Sequence, residues 1–151
     1  MDGPVGERLT PHDPRRIAPT HAPMQFAKRV FLVAGIYGLI VLLPQYFLED
    51  RIGRDNPPAI THVEYFYGFV GIAVAWQLVF LLIARDPLRY RPVMLAAVVE
   101  KAVFGLPAVA LYLSGRLSAE MLGAGIIDLI LGTLFVVSYV RTATAAREAG
   151  R

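Results

Sequence analysis

Glu100, Lys101 and Asp128 are charged residues that lie inside long apolar stretches of the sequence. An isolated charge in apolar surroundings is costly, so such residues commonly pair with one another or face a polar cavity. Gln77 lies in another apolar stretch, and its side-chain amide can both donate and accept hydrogen bonds. This set could form a buried polar cluster that fixes helix register, serve a proton-coupled or ligand-binding role, or contact the charges of a partner protein.

The sequence has four apolar stretches, three of which hold these residues, and each is long enough to cross a membrane as a helix. They run from Val30 to Leu48, from Val63 to Ala84, from Val93 to Leu113 and from Met121 to Val140. At a rise of about 1.5 Å per residue, a helix of about 20 residues spans the roughly 30 Å of hydrocarbon in a bilayer. The chain is 56% hydrophobic and 18% charged, whereas soluble domains are about 25% charged. The sequence therefore predicts an all-α membrane protein with four transmembrane helices in an antiparallel bundle.

The flanking segments predict the domain organisation and the orientation. Residues 1–27 form a proline-rich tail that we expect to be extended unless a surface orders it, residues 28–142 form the transmembrane domain, and residues 143–151 form a basic tail. Lysine and arginine number five before the first stretch, three in the 85–92 turn and three after the last stretch, against three on the opposite side. By the positive-inside rule both termini are cytoplasmic. This distribution of charge is a topology signal and does not indicate nucleic-acid binding.

Depth in the membrane predicts which charges meet. Counted from the same face, Lys101 lies about 12 Å deep and Asp128 about 18 Å deep, a difference that a lysine side chain can bridge. We therefore predict an ion pair between Lys101 and Asp128, which also helps the third helix to insert. Gln77 falls in the layer of Glu100 and could share the proton of Glu100 or accept a hydrogen bond from it. Together Gln77, Glu100, Lys101 and Asp128 are the predicted buried polar cluster.

Small residues and short connections predict the packing. The turns at 85–92 and 114–120 indicate that the second, third and fourth helices are antiparallel neighbours. Stripes of small residues allow helices to approach closely. The predicted packing residues are Gly68, Gly71 and Ala75 in the second helix and Ala124 and Gly132, which flank Asp128, in the fourth.

Several classes of catalytic and metal site are not supported by the residues present. The absence of cysteine excludes disulfides, thiolate metal sites and a cysteine nucleophile. Ser114, Ser118 and Ser138 have no histidine nearby in the sequence, and His62 with Glu64 lacks a third metal ligand. We predict no catalytic residues, no metal and no cofactor, although an embedded acid that acts on a lipid-soluble substrate stays open.

Residues 63–142 carry a set of motifs in a familiar layout. The motifs are Tyr67-Gly68-Phe69, Ala84-Arg85-Asp86-Pro87, Gly115-Arg116 and Asp128-Leu129-Ile130-Leu131-Gly132, with Glu100 in mid-helix. This layout resembles the DoxX-like group of small bacterial four-helix membrane proteins, and the resemblance implies a bacterial inner membrane as the location. The resemblance implies a four-helix bundle and, for some members, association with oxidoreductase systems, and it carries over no catalytic residues. Small multidrug exporters also have four helices, but their essential glutamate lies in the first helix, where this chain has no acid.

Two functions are compatible with these observations. The first is a non-catalytic polytopic protein that serves as an accessory or assembly subunit of a larger inner-membrane complex, with lipid, other membrane subunits or a second copy as its partners. The alternative is a small proton-coupled transporter, or a binder of a hydrophobic ligand, centred on Glu100. The charged cluster could also be structural alone.

Overall fold

A computed structural model describes the backbone of residues 18–149 and the side chains of residues 22–147. The described part is helical and contains no strand. Its elements are α1 (Ala18–Leu42), a 3₁₀ helix (Leu43–Phe47), α2 (Glu49–Asp55), α3 (Val63–Arg85), α4 (Val93–Leu113), α5 (Ala119–Arg141) and α6 (Ala143–Ala149). The four long helices, with α1 taken from Ala22 through the 3₁₀ helix, are long and apolar enough to cross a membrane. The predicted fold class, an all-helical membrane protein with four spanning helices, is confirmed.

The largest difference in helix bounds is at the start of α1. The helix begins at Ala18, well before the predicted start at Val30, so part of the proline-rich segment is helical. Pro23 is the sixth residue of this helix, where it removes one backbone hydrogen-bond donor, and Ala27 is fully buried in the core. The prediction for residues 1–17 lies outside the described residues. At the other end, residues 143–149 of the predicted basic tail form α6.

The bundle consists of two helical hairpins. Helices α4 and α5 pack along most of their length, as do α1 and α3, and the two hairpins meet where α1 packs against α5. Helices α3 and α4 make few contacts although a short turn joins them. The prediction that the second and third spanning helices pack as neighbours is therefore wrong, because α1 packs on α3 and α5 packs on α4 instead.

Glycines allow the close approach within each hairpin. A Cβ atom at Gly125 of α5 would lie 2.6 Å from the Cβ of Ala108 of α4, and one at Gly105 would lie 2.7 Å from Leu129. In the other hairpin, a Cβ at Gly35 would lie 2.7 Å from Leu81, and the space beside Gly38 is taken by the side chain of Gln77. Backbones that approach this closely gain van der Waals contact, which is a main source of association between helices in lipid.

An aromatic core closes one end of the bundle, which we call the terminal end because α1 begins and α5 ends there. The rings of Phe31 and Phe135 stack with centroids 4.2 Å apart, and Phe80 meets Phe135 edge-on at 5.0 Å. Met94 of α4 is also fully buried in this core. Beside it, the guanidinium of Arg91 lies 3.7 Å from the ring centroid of Tyr139 and donates to the Tyr139 carbonyl oxygen. The terminal end is thus held by side chains from all four long helices.

The segment between α1 and α3 covers the opposite end, which we call the far end. The Tyr67 hydroxyl of α3 donates to a Glu49 carboxylate oxygen of α2 at 2.8 Å. The ring of Tyr46 stacks on that of Tyr67 with centroids 6.0 Å apart. The connection therefore ties the 3₁₀ helix and α2 to the start of α3.

We expect Gly125→Ala to lower the thermal unfolding temperature of the detergent-solubilised protein, because the added methyl group forces α4 away from α5. Gly123→Ala is the matched control: it lies on the same helix, and a Cβ at Gly123 has no other atom within 4 Å. Since alanine is favoured over glycine by about 1 kcal/mol in a helix interior, the control should be neutral or stabilising. Equal effects of the two substitutions would contradict the close α4–α5 packing.

Candidate functional site

The charged cluster lies where α4 and α5 face each other. Lys101 Nζ donates to Asp128 Oδ1 at 3.0 Å and lies 3.4 Å from Glu100 Oε1 and 3.3 Å from Glu100 Oε2. The Lys101 side chain is only 6% exposed, and the side chains of Glu100 and Asp128 are 15% and 18% exposed. The structure thus joins the two residues that the sequence pairs and places a second carboxylate on the same ammonium group.

A small residue makes room for the lysine between the two helices. Gly132 lies one helical turn after Asp128, and a Cβ there would be 3.2 Å from the Cβ of Lys101. Lys101 therefore leaves α4 against bare backbone of α5. Its ammonium also lies 5.3 Å from the ring centroid of Phe80, a distance at which a cation is attracted to the face of an aromatic ring.

The cluster faces a partly open cavity of about 180 Å³, which we call the chamber and whose lining includes the exposed residues Tyr37, Met121 and Ile127. Its polar lining includes Gln77, Glu100, Lys101 and Asp128, from three different helices. Its remaining lining is largely apolar and comes from Ala34, Tyr37, Gly38, Val41, Leu42, Gln45, Phe69, Ala73, Phe104, Met121, Ala124, Ile127 and Leu131. The chamber exists because the aromatic core fills the bundle only toward the terminal end.

A second cavity of about 610 Å³, the groove, runs between α3 and α4. It is lined by Phe69, Ile72, Ala73, Trp76, Ala96, Val99, Glu100, Val103 and Phe104. Ile72, Val99 and Val103 are each more than half exposed, so the groove opens on the outer surface that faces lipid. It occupies the space between α3 and α4, which make few contacts with each other.

The groove and the chamber share four residues: Phe69, Ala73, Glu100 and Phe104. The Phe69 and Phe104 rings, one from α3 and one from α4, have centroids 6.2 Å apart and stand between the two cavities. Glu100 is the charged member of this set. A molecule that entered the groove from lipid would therefore meet the Glu100 side chain before it reached Lys101 and Asp128.

The cluster has more negative than positive charge and more acceptors than donors. With all three groups ionised, two carboxylates and one ammonium leave a net charge of minus one. Within residues 22–147, the hydrogen bonds to the two carboxylates come from Lys101 alone, although each carboxylate has about four acceptor positions. Glu100 Oε2 is buried and accepts no hydrogen bond from these residues. The cluster is thus suited to a further hydrogen-bond donor or positive charge.

The other predicted site residues make no hydrogen bond with the charged cluster in the part of the chain that the structure describes. Gln77 is buried and lines the chamber, but its amide donates to the Ala73 carbonyl oxygen at 2.9 Å and not to Glu100. Of the predicted packing residues, Gly132 lies against Lys101, and a Cβ at Gly71 would lie 3.3 Å from the Tyr46 hydroxyl oxygen. Gly68, Ala75 and Ala124 are exposed. The close helix–helix contacts are at Gly105 and Gly125 instead. The predicted stripes of small residues did not include these two glycines.

Sequence reasoning also missed the aromatic lining of the groove. Phe69, Trp76 and Phe104 have no charge or motif that distinguishes them from lipid-facing residues. The available signal was the helical spacing of Phe69, Ala73 and Trp76, which places them on one face of α3. That face lines the groove because α4 makes few contacts with α3. The His62–Glu64 pair, 3.1 Å apart, lies on the exposed surface at the far end.

Comparison of the chain with protein-family models, with curated proteins and with solved structures gives no match. The resemblance to the DoxX-like group therefore stays a prediction. The function has to be argued from the geometry of the chamber and the groove.

We expect Lys101→Met to be the most destabilising single change in the cluster, because it leaves two carboxylates without an ammonium group. Removing one partner of a buried charge pair costs about 3–5 kcal/mol, so the unfolding temperature in detergent should fall sharply. Asp128→Asn, which leaves a balanced Glu100–Lys101 pair, should cost less. Lys28→Met on α1 is the control for loss of a lysine. A Lys101→Met protein as stable as the Lys28→Met protein would contradict the proposed charge balance.

Proposed function

We propose that the protein binds an amphipathic molecule dissolved in the membrane, with the apolar body of the ligand in the groove and its polar head at Glu100. The observation that carries this proposal is the position of Glu100, which lines both the lipid-facing groove and the chamber. Glu100 also contacts Lys101, but its Oε2 atom accepts no hydrogen bond from residues 22–147 and can accept one from a ligand.

The linings and volumes of the two cavities support placing the apolar body of the ligand in the groove and its polar head at Glu100. Ligand sites are mostly apolar and aromatic with a few polar groups that fix orientation. The groove walls are apolar and aromatic apart from Glu100, and the groove is more than three times as large as the chamber. An alkyl or ring body fits the groove, while a volume of about 180 Å³ accommodates a small head group.

We further propose the orientation and location that the sequence predicts. The excess of lysine and arginine at the terminal end supports cytoplasmic termini, and the resemblance to the DoxX-like group supports a bacterial inner membrane.

Cysteine labelling tests this orientation. The chain lacks cysteine, so a single introduced cysteine is the only thiol of the protein that a maleimide can label. A membrane-impermeant maleimide should label Ser114→Cys in intact cells and label Thr144→Cys only after lysis. The reverse pattern would invert the orientation.

An accessory or assembly subunit is the second candidate. It is favoured by the outward position of Gly68 and Ala75, because a Cβ at Gly68 has no atom within 4 Å and small residues on an outer face permit close approach by another helix. The two functions predict different purification results. A stoichiometric partner retained in mild detergent supports the subunit, whereas a chain that binds ligand by itself does not need one.

Trp76 is the single tryptophan of the chain and lines the groove, so its fluorescence tests ligand binding directly. We expect an amphiphile with a brominated alkyl chain to quench Trp76 in neutral-lipid nanodiscs, because bromine quenches indole on contact. Quenching should saturate at a low mole fraction and should be reversed by the same amphiphile without bromine. Quenching that rises linearly without saturation would indicate simple contact with lipid and would contradict the site.

Two alanines on α3 provide the matched control. Ala73 lines both cavities, whereas Ala75 lines neither of them. Ala73→Phe should fill the passage between the groove and the chamber and abolish the saturable quenching, while Ala75→Phe should retain it. Ala96→Phe, at an exposed position in the groove wall, provides a second blocking variant that does not disturb the core.

A further inference from the structure

The charge of the chamber identifies the class of ligand head, and this inference rests on the proposed function. Each long helix contributes polar groups to the lining of the chamber: Tyr37 from α1, Gln77 from α3, Glu100 and Lys101 from α4, and Asp128 from α5, while Gln45 comes from the 3₁₀ helix. One positive and two negative groups are among them. No other ionised side chain lines the chamber among the described residues, so its net charge in the fully ionised state is minus one.

An uncompensated charge among largely apolar side chains is expensive, and a ligand that neutralises it gains the corresponding free energy. An anionic head would add to the excess of negative charge. A neutral hydroxyl would donate one hydrogen bond but leave the charge unbalanced. A cationic head removes the imbalance, and an ammonium head also supplies donors to carboxylates whose hydrogen bonds come from Lys101 alone within residues 22–147.

The apolar lining also suits a cation. The faces of aromatic rings attract cations within about 6 Å of the ring centroid. Phe69 and Phe104 stand at the passage into the chamber, and Tyr37 lines the chamber itself. Lys101 already lies over the Phe80 ring, so an ammonium group held between carboxylates and aromatic rings has a precedent within this fold.

We propose that the ligand is a lipophilic amine whose protonated head pairs with Glu100 at the junction of the groove and the chamber. A bare divalent metal is a poor alternative, because no group of three metal-ligating side chains exists among the described residues. Lys101 stays paired with Asp128 when the amine binds, and the amine supplies the second positive charge. The site then holds two carboxylates and two ammonium groups and is electrically neutral.

Four amphiphiles with the same dodecyl chain test this proposal by competing with the brominated probe for quenching of Trp76. They are dodecylamine, dodecyltrimethylammonium, dodecanol and dodecanoate, each compared at equal measured mole fraction in neutral-lipid nanodiscs that carry the full chain. We expect dodecylamine to compete at least about tenfold more strongly than dodecanol, since it adds charge to hydrogen bonding. Dodecyltrimethylammonium should also exceed dodecanol, and dodecanoate should be the weakest competitor.

Glu100→Gln removes the charge and keeps the shape of the side chain. It should reduce competition by dodecylamine to the level of dodecanol and leave dodecanol unchanged. Glu120→Gln, at an exposed position in the first turn of α5, is the matched control and should behave as the native chain does. If Glu100→Gln does not fold, the amine assignment is tested on the native protein alone, by comparing dodecylamine and dodecyltrimethylammonium with dodecanol.

The outcomes distinguish a failure of the amine assignment from a failure of the proposed function. If dodecanol or dodecanoate competes as strongly as dodecylamine, or if Glu100→Gln leaves the preference for the amine intact, the amine assignment is overturned and the hydrophobic site stands. If none of the four displaces the probe and Ala73→Phe does not alter its quenching, the proposed function itself fails.

Discussion

The sharing of one buried ammonium group by two carboxylates is the interaction on which the rest of the structure depends. Lys101 binds Asp128 closely and Glu100 at longer distance, inside a bundle of otherwise apolar helices. Any arrangement that separated α4 from α5 would expose all three charges to lipid. The pair therefore fixes the register of this hairpin, and the unequal number of charges leaves Glu100 incompletely neutralised.

The distribution of small and aromatic residues decides where the bundle is closed and where it is open. Gly35 and Gly38 bring α1 onto α3, and Gly105 and Gly125 bring α4 onto α5. The phenylalanine core fills the space between the two hairpins only toward the terminal end. Helices α3 and α4, one from each hairpin, make few contacts, and both the chamber and the groove are lined by residues of these two helices. The incompletely neutralised carboxylate lies where the two cavities meet.

Much of this architecture can be predicted from the sequence because its causes are local. The length of each apolar run sets the spans, and α4 begins and ends at the predicted residues. The positions of Lys101 and Asp128 along their helices were enough to pair them. The separation of α3 from α4 could not be predicted, because it depends on which of several small-residue faces each helix uses. Phe69 and Phe104 line the groove because of that choice of faces, so their position there could not be predicted either. The early start of α1 was missed because prolines near a helix start resemble those of an extended tail.

The most direct test of this account is a solid-state NMR distance in lipid bilayers between the side-chain nitrogen of Lys101, labelled with ¹⁵N, and the carboxyl carbon of Asp128, labelled with ¹³C. A strong dipolar coupling, as expected for an N–H···O contact of 3.0 Å, is the predicted result. A Lys101 nitrogen without coupling to either carboxylate, and in contact with lipid head groups or water, would contradict the account.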